Sequence, residues 1–323
     1  MSLPMGESGE GHFWDPRYGA LMDIHLVHHR AKERDLQPYR RMNALVLLQV
    51  LFLPWIAFLV TFAAVSFYVH YWFPLSTVLS VAATFGGSIW VCIAALRNRS
   101  QESHKRFFLA SMSATVACAV FFGWLLGDLN FWGDMQPAYE TEHLAAYSNV
   151  NPSTEKLWSG EAVPTRGRRY QDVGRIYFTS STVIDVNRSA NFKVGNLYCV
   201  APIVDPNCRD NCGFDFWAVG VNCCDEDGRR FHCGDYTNPL SKAGIRLTSE
   251  GRRQSFRMAV MAAESIHGLT SVHPLFFMFV KDPVAVAESW KRKGYRRFVV
   301  VMFVSFFAGI LNVILVANIS RKW

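Results

Sequence analysis

The sequence predicts a membrane α-helical protein with four transmembrane helices and a disulfide-rich α+β extramembrane domain between spans three and four. Three features lead to this prediction. Four long stretches lack Asp, Glu, Lys and Arg, six cysteines cluster between the third and fourth stretch, and short aromatic and β-branched runs surround those cysteines. Of the 323 residues, 50% are hydrophobic and 18% are charged. Soluble domains carry about 25% charged residues, so the composition excludes a disordered chain and disfavours an ordinary soluble protein.

The four uncharged stretches are each long enough to cross a bilayer, which takes about 20 apolar residues. A core helix of a soluble protein keeps one polar face, and these stretches do not. We therefore predict transmembrane helices at residues 44–69, 74–96, 107–127 and 298–319.

Lys and Arg near the span ends predict the orientation, because cytoplasmic flanks carry an excess of both. Basic residues are dense in 30–41 and in the connection 97–106, whereas the turn 70–73 has no Lys or Arg. The N- and C-termini are therefore expected in the cytosol, and the long loop before span four in the lumen or outside the cell. The basic stretch 291–297 conflicts with this orientation, although long loops cross membranes largely regardless of charge.

The net charge of +7 is concentrated next to the spans, while the body of the long loop is slightly acidic. This distribution is typical of anchoring to lipid headgroups and not of nucleic-acid binding. The expected partners are the lipid bilayer and a membrane protein or a second copy of the chain. We expect an integral membrane protein of the endomembrane system or the plasma membrane.

The domain organisation follows from the spans. The first 43 residues contain no short apolar segment of the kind found in a cleaved signal peptide, so span one is expected to act as the signal anchor. The sequence divides into a cytosolic tail (1–43), spans one to three (44–127), an outer linker (128–170), a Cys-rich α+β domain (171–297), span four (298–319) and a cytosolic C-terminal tail (320–323).

The cysteines of the long loop predict disulfide bonds, because an even number on the oxidising side of a membrane is typical of a disulfide framework. The six candidates are Cys199, Cys208, Cys212, Cys223, Cys224 and Cys233. The sequence leaves the pairing open. Adjacent residues on a strand point to opposite faces, so Cys223 and Cys224 are expected to take different partners.

Zinc is the alternative, with Cys208, Cys212, His232 and Cys233 as ligands. Structural zinc sites usually combine two short-spaced ligand pairs of the Cys-x2–4-Cys kind, and this sequence has one. We therefore expect neither a metal nor a cofactor.

The residues around the cysteines follow strand and helix patterns. Residues 175–179, 182–186, 197–204 and 214–221 are aromatic and β-branched and are separated by Gly, Asn and Pro, which predicts strands. After residue 249 the period becomes helical, and the stripe facing the core consists of Phe256, Ala259, Val260, Ala263 and Ile266. A second, short helix is predicted to begin at Pro283 and lead into span four.

Three local motifs suggest modification or processing. Asn187-Arg-Ser is an acceptor sequence for N-glycosylation in the loop, whereas Asn98 and Asn318 lie in acceptor sequences expected to stay bare. Cys92, near the cytosolic end of span two, is a candidate for palmitoylation. Arg166-Gly-Arg-Arg169 resembles the cleavage site of furin-like convertases, and the ordinary interpretation is a basic linker.

Gly123 and Gly127 are spaced for close contact between transmembrane helices. Packing within the four-helix bundle is the ordinary interpretation, and association with a partner is the alternative. His25-x-x-His28-His29 matches one histidine box of membrane di-iron enzymes. Those enzymes need further boxes that this sequence lacks, so no iron site is predicted.

Two resemblances follow from these features. The layout of a short first outer turn, a large Cys-rich loop and a Cys-Cys pair resembles that of tetraspanins, although the pair comes late here and is followed by Asp225 instead of Gly. The strings beginning at Tyr198, Asp215 and Phe231 are similar to an uncharacterised family of multi-span proteins in alveolate-type microbial eukaryotes. The second resemblance implies no known activity, and no functional residue is transferred from either.

The sequence contains no recognised acid/base or nucleophile motif, so it predicts no enzyme. We expect a non-catalytic interaction or scaffold component that presents the disulfide-bonded domain. One alternative is a lumenal thiol-redox enzyme that uses Cys223 and Cys224. Another is a channel or transporter subunit, although no ionisable residue lies deep in a span.

Overall fold

The structure is a computed structural model that describes residues 44–98, 103–209, 212–225 and 230–320. From Val50 onward the described residues belong to one compact unit. Four helices are long and apolar enough to cross a membrane, and a sheet-rich domain with three cysteine pairs lies between the third and fourth, as predicted. The predicted cytosolic tail 1–43 lies outside the described residues.

Three long helices and one short helix begin the described part of the chain, and short connections join them. They are α1 (Ala44–Ser66), the short α2 (Tyr68–Trp72), α3 (Pro74–Arg97) and α4 (Ser103–Asn130). Pro74 occupies the first position of α3, where the missing N–H leaves no helical hydrogen bond unmade. α3 packs along α4.

The helix of span three continues well beyond the predicted end at residue 127. α4 passes through a π-helical turn (Phe131–Met135) into α5 (Gln136–His143), and strand β1 follows directly. The prediction of an outer linker at 128–170 therefore needs correction, because this segment contributes helix and sheet. The Pro and Gly residues of this segment are typical of a linker. In the structure they belong to a small hairpin and a 3-10 turn.

Ten strands form the domain between α5 and the last helix. They are β1 (Ala145–Val150), β2 (Thr154–Lys156), β3 (Ala162–Pro164), β4 (Val173–Phe178), β5 (Val183–Ile184), β6 (Ala190–Val194), β7 (Asn196–Val204), β8 (Phe216–Val221), β9 (Ala243–Arg246) and β10 (Leu275–Val280). The main sheet has the order β1-β4-β9-β10-β8-β7-β5, with β6 also paired to β7, and β2–β3 is a separate hairpin. The β1–β4 and β8–β10 pairs are parallel and the others antiparallel.

The two faces of the sheet have separate cores, because side chains alternate along each strand. On β8, Phe216 and Ala218 point into one core together with the disulfide cysteines. Trp217 and Val219 point into the other core, which is covered by α6 (Glu250–His267). We call the unit formed by the sheet and α6 the sheet domain.

Helix α6 matches the predicted helix, with one exception in its core-facing stripe. Gly268 ends it in the left-handed conformation, at φ 64°, which glycine adopts without strain. Phe256, Ala259 and Ala263 are buried against the sheet, as predicted. Ile266 is 68% exposed, because the helix turns this position away from the sheet just before it ends.

The last helix, α7 (Pro283–Ser320), runs without interruption from the sheet domain through predicted span four. The Asp282 carboxylate accepts hydrogen bonds from the backbone N–H groups of Val284 and Ala285, at 2.9 and 3.1 Å, and so caps the helix. The 38 residues of α7 extend about 57 Å at 1.5 Å per residue. The predicted boundary between domain and span at residue 297 therefore lies inside a continuous helix.

Candidate functional site: the cysteine cluster and the junction with the spans

The six cysteines of the sheet domain form three pairs at disulfide distance. The pairs are Cys199–Cys224, Cys208–Cys212 and Cys223–Cys233. The adjacent Cys223 and Cys224 take different partners, as predicted. This arrangement leaves neither of them a free thiol for catalysis.

Two of the three disulfides lie side by side. The Sγ atoms of Cys199, Cys223 and Cys233 all lie within 4.8 Å of one another, and Cys224 is bonded to Cys199. Cys199 is on β7, whereas the other three cysteines follow β8. We call these four residues the cysteine cluster. Three of its members are buried, and Cys223 is partly exposed.

Gly220 provides the space for the cysteine cluster. It is the cross-strand neighbour of Cys199 in the β7–β8 ladder. A Cβ atom at this position would overlap the Sγ of Cys223 and lie 2.7 Å from the Sγ of Cys233. Gly220 was not among the predicted site residues, although a glycine inside a strand often marks such a close approach.

The zinc alternative required Cys208, Cys212, His232 and Cys233 to converge. Among the described residues, the one group of potential metal ligands comprises Cys199, Cys223 and Cys233. His232 is instead turned to its own loop, where its Nδ1 lies 3.0 Å from the carbonyl oxygen of Arg230. The four ligands of the zinc alternative are therefore not brought together.

A cleft with a volume of about 560 Å³ lies beside the third disulfide, Cys208–Cys212. One side is the strand β5 with the following 3-10 turn, and the other is the chain after β7. The polar and aromatic residues that line the cleft include Ser153, Asp185, Arg188, Asp205, Arg209 and Phe214.

Asp205 connects the chain that follows β7 with the chain that follows β1, at this cleft. Its Oδ2 accepts a hydrogen bond from Asn151 Nδ2 at 2.7 Å, and its Oδ1 accepts one from the backbone N–H of Asn207 at 3.1 Å. Partial burial raises the pKa of Asp205, but the hydrogen bonds from Asn207, Asn151 and Ser181 together outweigh burial, so the net shift is below the ordinary value. This carboxylate is held charged as a structural acceptor.

Asp185 and Arg188 are also engaged within the domain. The guanidinium Nε of Arg188 lies 3.3 Å from Asp185 Oδ2, and its Cζ lies 5.5 Å from the centre of the Phe214 ring. Ionic and cation–π contacts of this kind fix the wall of a cleft.

Asn187 is exposed at the rim of the cleft. It lies on the 3-10 turn Val186–Arg188, where its backbone N–H donates to Asp185 Oδ1 at 3.1 Å. The hydroxyl of Ser189, the third residue of the acceptor sequence, donates to the carbonyl oxygen of Val186 at 2.7 Å. The side chain of Asn187 thus has room for a glycan, and glycosylation stays a prediction.

Asp215 is a buried carboxylate that connects two loops to β8. Its Oδ2 accepts a hydrogen bond from the backbone N–H of Gly167 at 2.8 Å. Its Oδ1 accepts from the Ser271 hydroxyl and from the backbone N–H of His273, both at 3.2 Å. Ser271 in turn accepts from the indole of Trp217. The role of Asp215 is therefore structural.

The convertase-like motif lies in the first of these two loops. Residues Gly167–Tyr170 form a 3-10 turn, and the backbone of Gly167 is fixed by Asp215 and packed against the carbonyl oxygen of His273. Convertases require an extended, accessible segment. The folded turn at this motif thus favours the ordinary interpretation over cleavage. The motif at His25 lies outside the described residues.

Ion pairs hold the π-helical turn and α5 against α7, between the apolar helices and the sheet. Arg297 Nη1 lies 2.8 Å from Asp134 Oδ2, an ionic contact without hydrogen-bond geometry. Six residues earlier on α7, Lys291 pairs with Glu142 and lies over the ring of Tyr139. Two of the basic residues that conflicted with the predicted orientation are thus balanced by carboxylates of the neighbouring helix.

Close packing at Gly294 reinforces this contact. A Cβ atom at Gly294 would overlap the Sδ of Met135, which is fully buried in the π-helical turn. Asn130, also fully buried, places its Oδ1 3.4 Å from Arg297. We call the contact of α4, the π-helical turn and α5 with α7 the junction.

Aromatic residues of the turn between spans one and two cover the junction. The rings of Phe67 and Tyr295 stack with centroids 5.0 Å apart, and Tyr71 lies 5.5 Å from Tyr139. Aromatic side chains are enriched where membrane proteins meet the lipid–water interface. The turn between spans one and two therefore packs against the junction at α5 and at α7.

Gly123 and Gly127 lie against α1. A Cβ atom at Gly123 would lie 2.9 Å from the carbonyl oxygen of Phe58, and one at Gly127 would lie 2.9 Å from the Cβ of Val65. Cys92 points toward α4, where its thiol donates to the carbonyl oxygen of Ala110 at 3.5 Å. Palmitoylation of Cys92 stays a prediction.

The tetraspanin-like layout and the similarity to multi-span proteins of alveolate-type microbial eukaryotes stay predictions. When compared with known protein families, with curated proteins and with solved structures, the chain has no match.

Proposed function

We propose that this chain is a multi-pass membrane protein and a non-catalytic interaction or scaffold component, which presents the disulfide-bonded sheet domain at a fixed orientation to the bilayer. The junction carries this proposal. Two helices run from the apolar segments into the sheet domain without a flexible linker, and Asp134–Arg297 and Glu142–Lys291 pair them.

A rigid connection has a physical consequence for binding. A domain held at one height and angle loses less orientational freedom when it docks onto a partner in the same membrane, and preorganisation of this kind increases affinity. A soluble substrate, in contrast, reaches a flexibly tethered domain equally well. The engaged carboxylates Asp205 and Asp215 further support a structural domain.

The proposed location and partners follow the sequence. The sheet domain faces the lumen or the exterior of the endomembrane system or plasma membrane, with both termini in the cytosol and a glycan on Asn187. The bilayer is one partner, since most of the side-chain surface of α3 and α7 points outward. The other is a membrane protein or a second copy of the chain.

Glycan mapping tests the location. Asn187→Gln is expected to abolish the mass shift on endoglycosidase treatment, while Asn98→Gln and Asn318→Gln leave it unchanged. A glycan on Asn98 would place the opposite side of the membrane outside and overturn the proposed orientation.

Crosslinking in native membranes tests the scaffold function. A lysine-reactive reagent is expected to trap one complex of defined mass with the wild-type chain. A flexible Gly-Ser segment inserted after Leu144 separates α5 from β1 and loosens the connection between the spans and the sheet domain. We expect the amount of the crosslinked complex to fall, while the glycan on Asn187 persists. The proposal is contradicted if the wild-type chain and the insertion variant are both recovered only as monomers. It is also contradicted if the insertion leaves the amount of the complex unchanged.

The redox alternative has a separate readout. With three disulfides, a thiol reagent in denaturant labels at most Cys92 and Cys118, the two free cysteines, and labels all eight after reduction. Turnover of a disulfide substrate by the purified protein would favour the enzyme. Ion flux through the protein in liposomes would favour the channel alternative.

A further inference from the structure

The cysteine cluster has a chemical property that goes beyond the proposed scaffold function and does not depend on it. Each of the Sγ atoms of Cys199, Cys223 and Cys233 has, besides its bonded partner, a further sulfur within 4.8 Å. Thiol–disulfide exchange proceeds by attack of a thiolate on a neighbouring disulfide sulfur. Two disulfides at this separation are therefore placed to exchange partners.

Access to the cluster is uneven. Cys199 is fully buried, Cys233 is 3% exposed and Cys224 is 9% exposed, whereas Cys223 is partly exposed. A thiol from solution therefore reaches Cys223 first. Because Gly220 has no side chain, Cys223 and Cys233 pack directly against its backbone.

We propose that the cysteine cluster is a disulfide-exchange site whose ligand is a small thiol, which acts as a catalyst. The thiol converts the pairs Cys199–Cys224 and Cys223–Cys233 into Cys199–Cys233 and Cys223–Cys224. The rearrangement neither consumes nor produces electrons, and the thiol is regenerated.

The exchange proceeds in three balanced steps. A thiolate attacks Cys223, forms a mixed disulfide there, and releases Cys233 as a thiolate. Cys233 attacks Cys199, so the Cys199–Cys224 bond breaks and Cys224 leaves as a thiolate. Cys224 attacks the sulfur of its chain neighbour Cys223, which forms the adjacent-residue disulfide and expels the small thiolate.

The exchange moves the point at which the loop after β8 is attached to β7. Cys224 now ties this loop to Cys199, next to the hydrogen bond from Asn191 Nδ2 to the carbonyl oxygen of Asp225, at 2.8 Å. After exchange the attachment is at Cys233. The chain around Asp225 is then released from β7, which changes the surface that the sheet domain presents.

Disulfide mapping of the full-length protein in detergent tests this proposal, with reduced glutathione as the thiol. The variant C208S/C212S simplifies the map, because trypsin then places Cys199, the adjacent pair and Cys233 on three different peptides. The starting pairs link all three peptides into one species. Exchange converts it into a Cys199–Cys233 pair of peptides and a separate peptide with an internal Cys223–Cys224 disulfide.

We expect the three-peptide species to be lost on treatment with glutathione and the two new species to increase together. C223S/C233S in the same background removes the partly exposed disulfide together with both of its sulfurs, and we expect it to keep the Cys199–Cys224 link. The wild-type chain, digested with a second protease, should give the same new pairs with Cys208–Cys212 retained.

Two results would overturn the proposal. One is that glutathione leaves the three-peptide species intact, or only reduces it without a Cys199–Cys233 link. The other is that the folded protein gives the same mixture of pairings as protein unfolded in urea, because the geometry of the cluster would then have no influence.

Discussion

The sheet domain and the spans bury their apolar residues in different ways. In the sheet domain, large side chains such as Trp217, Phe216 and Phe277 are fully enclosed by the chain itself. In the spans, only 6% of the most apolar window is buried in each of Pro74–Arg97 and Pro283–Asn318. Water drives burial within a domain, whereas lipid is as apolar as the side chains, so helices associate through close packing.

This difference predicts where substitutions act. The stability of the sheet domain depends on close packing and on hydrogen-bonded polar groups. A single misplaced atom disrupts either of them. The spans depend on a few contacts at glycine, and most of their surface tolerates change. The junction between the two regions is stabilised by ion pairs.

Asp215→Ala is expected to have the largest effect. It removes the acceptor of hydrogen bonds from Gly167, Ser271 and His273, and leaving buried donors unpaired costs about 1–3 kcal/mol each before relaxation. We expect the free energy of unfolding of the sheet domain to fall by about 3 kcal/mol or more. Thermal unfolding followed by near-UV circular dichroism of the full chain measures this.

The control is Asp172→Ala. Asp172 is exposed and accepts a hydrogen bond from the Tyr147 hydroxyl at 3.0 Å. Its removal should change stability by less than about 0.5 kcal/mol. Equal effects of the two variants would show that Asp215 does not organise the domain.

Gly220→Ala is expected to rank second. The added Cβ overlaps the Sγ of Cys223, and overpacking in a core destabilises by about 1–3 kcal/mol. Gly251→Ala is the matched control, because a Cβ there meets nothing within 4 Å. The melting temperature of each variant is compared with that of the wild type. The prediction is wrong if Gly220→Ala is as stable as the wild type.

Gly127→Ile tests the spans in the same way. A larger side chain forces α4 away from Val65 on α1, and we expect a loss of about 1–3 kcal/mol by analogy with core overpacking. Gly87→Ile, also in a span, has open space around it and should be neutral. Heating in detergent with thiol labelling of the partly buried Cys92 reports the loss, and labelling at a lower temperature in Gly127→Ile than in Gly87→Ile is the expected outcome.

The junction should respond more weakly. The side chain of Arg297 is 47% exposed and that of Asp134 is 11% exposed, and partly solvated ion pairs contribute about 0.2–1 kcal/mol. A double-mutant cycle with Arg297→Gln and Asp134→Asn, read by amide exchange in α5, should give a coupling of that size. The same cycle with Arg292→Gln and Glu288→Gln, an exposed pair, should give no coupling.

The smallest effect concerns pH. Because the folded pKa of Asp205 lies below its ordinary value of 3.8, the ionised group stabilises the folded state above that pH. This stabilisation is lost as the pH falls through the folded pKa. In Asp205→Asn, the decline of the melting temperature below about pH 4 should be shallower than in the wild type. An identical acid profile would contradict this account.

Much of the secondary structure was predictable, because its signal is local. The four apolar helices, helix α6 and strands β4, β7 and β8 follow from apolar runs and periodicity. Strand β1 was missed because Ala145–Val150 is polar and short, and it becomes a strand by pairing in parallel with β4. Strand β10, Leu275–Val280, is a short apolar run that fits a buried helix equally well.

The candidate site was predictable only in its residue types. The sequence indicated that Cys223 and Cys224 have different partners, but it contained no signal for which of the other four cysteines each one meets. Gly220 acquires its role because β7 pairs with β8 and brings Cys199 opposite it.

Taken alone, the sequence determined which segments avoid water, since hydropathy and the period of apolar residues are properties of the chain itself. It also determined that the loop cysteines are available to pair. The tertiary structure decided which cysteines meet, that two disulfides lie in near contact, and that charges at positions 134 and 297 face each other. Those results depend on contacts between residues distant in the chain, and only the folded backbone sets such distances.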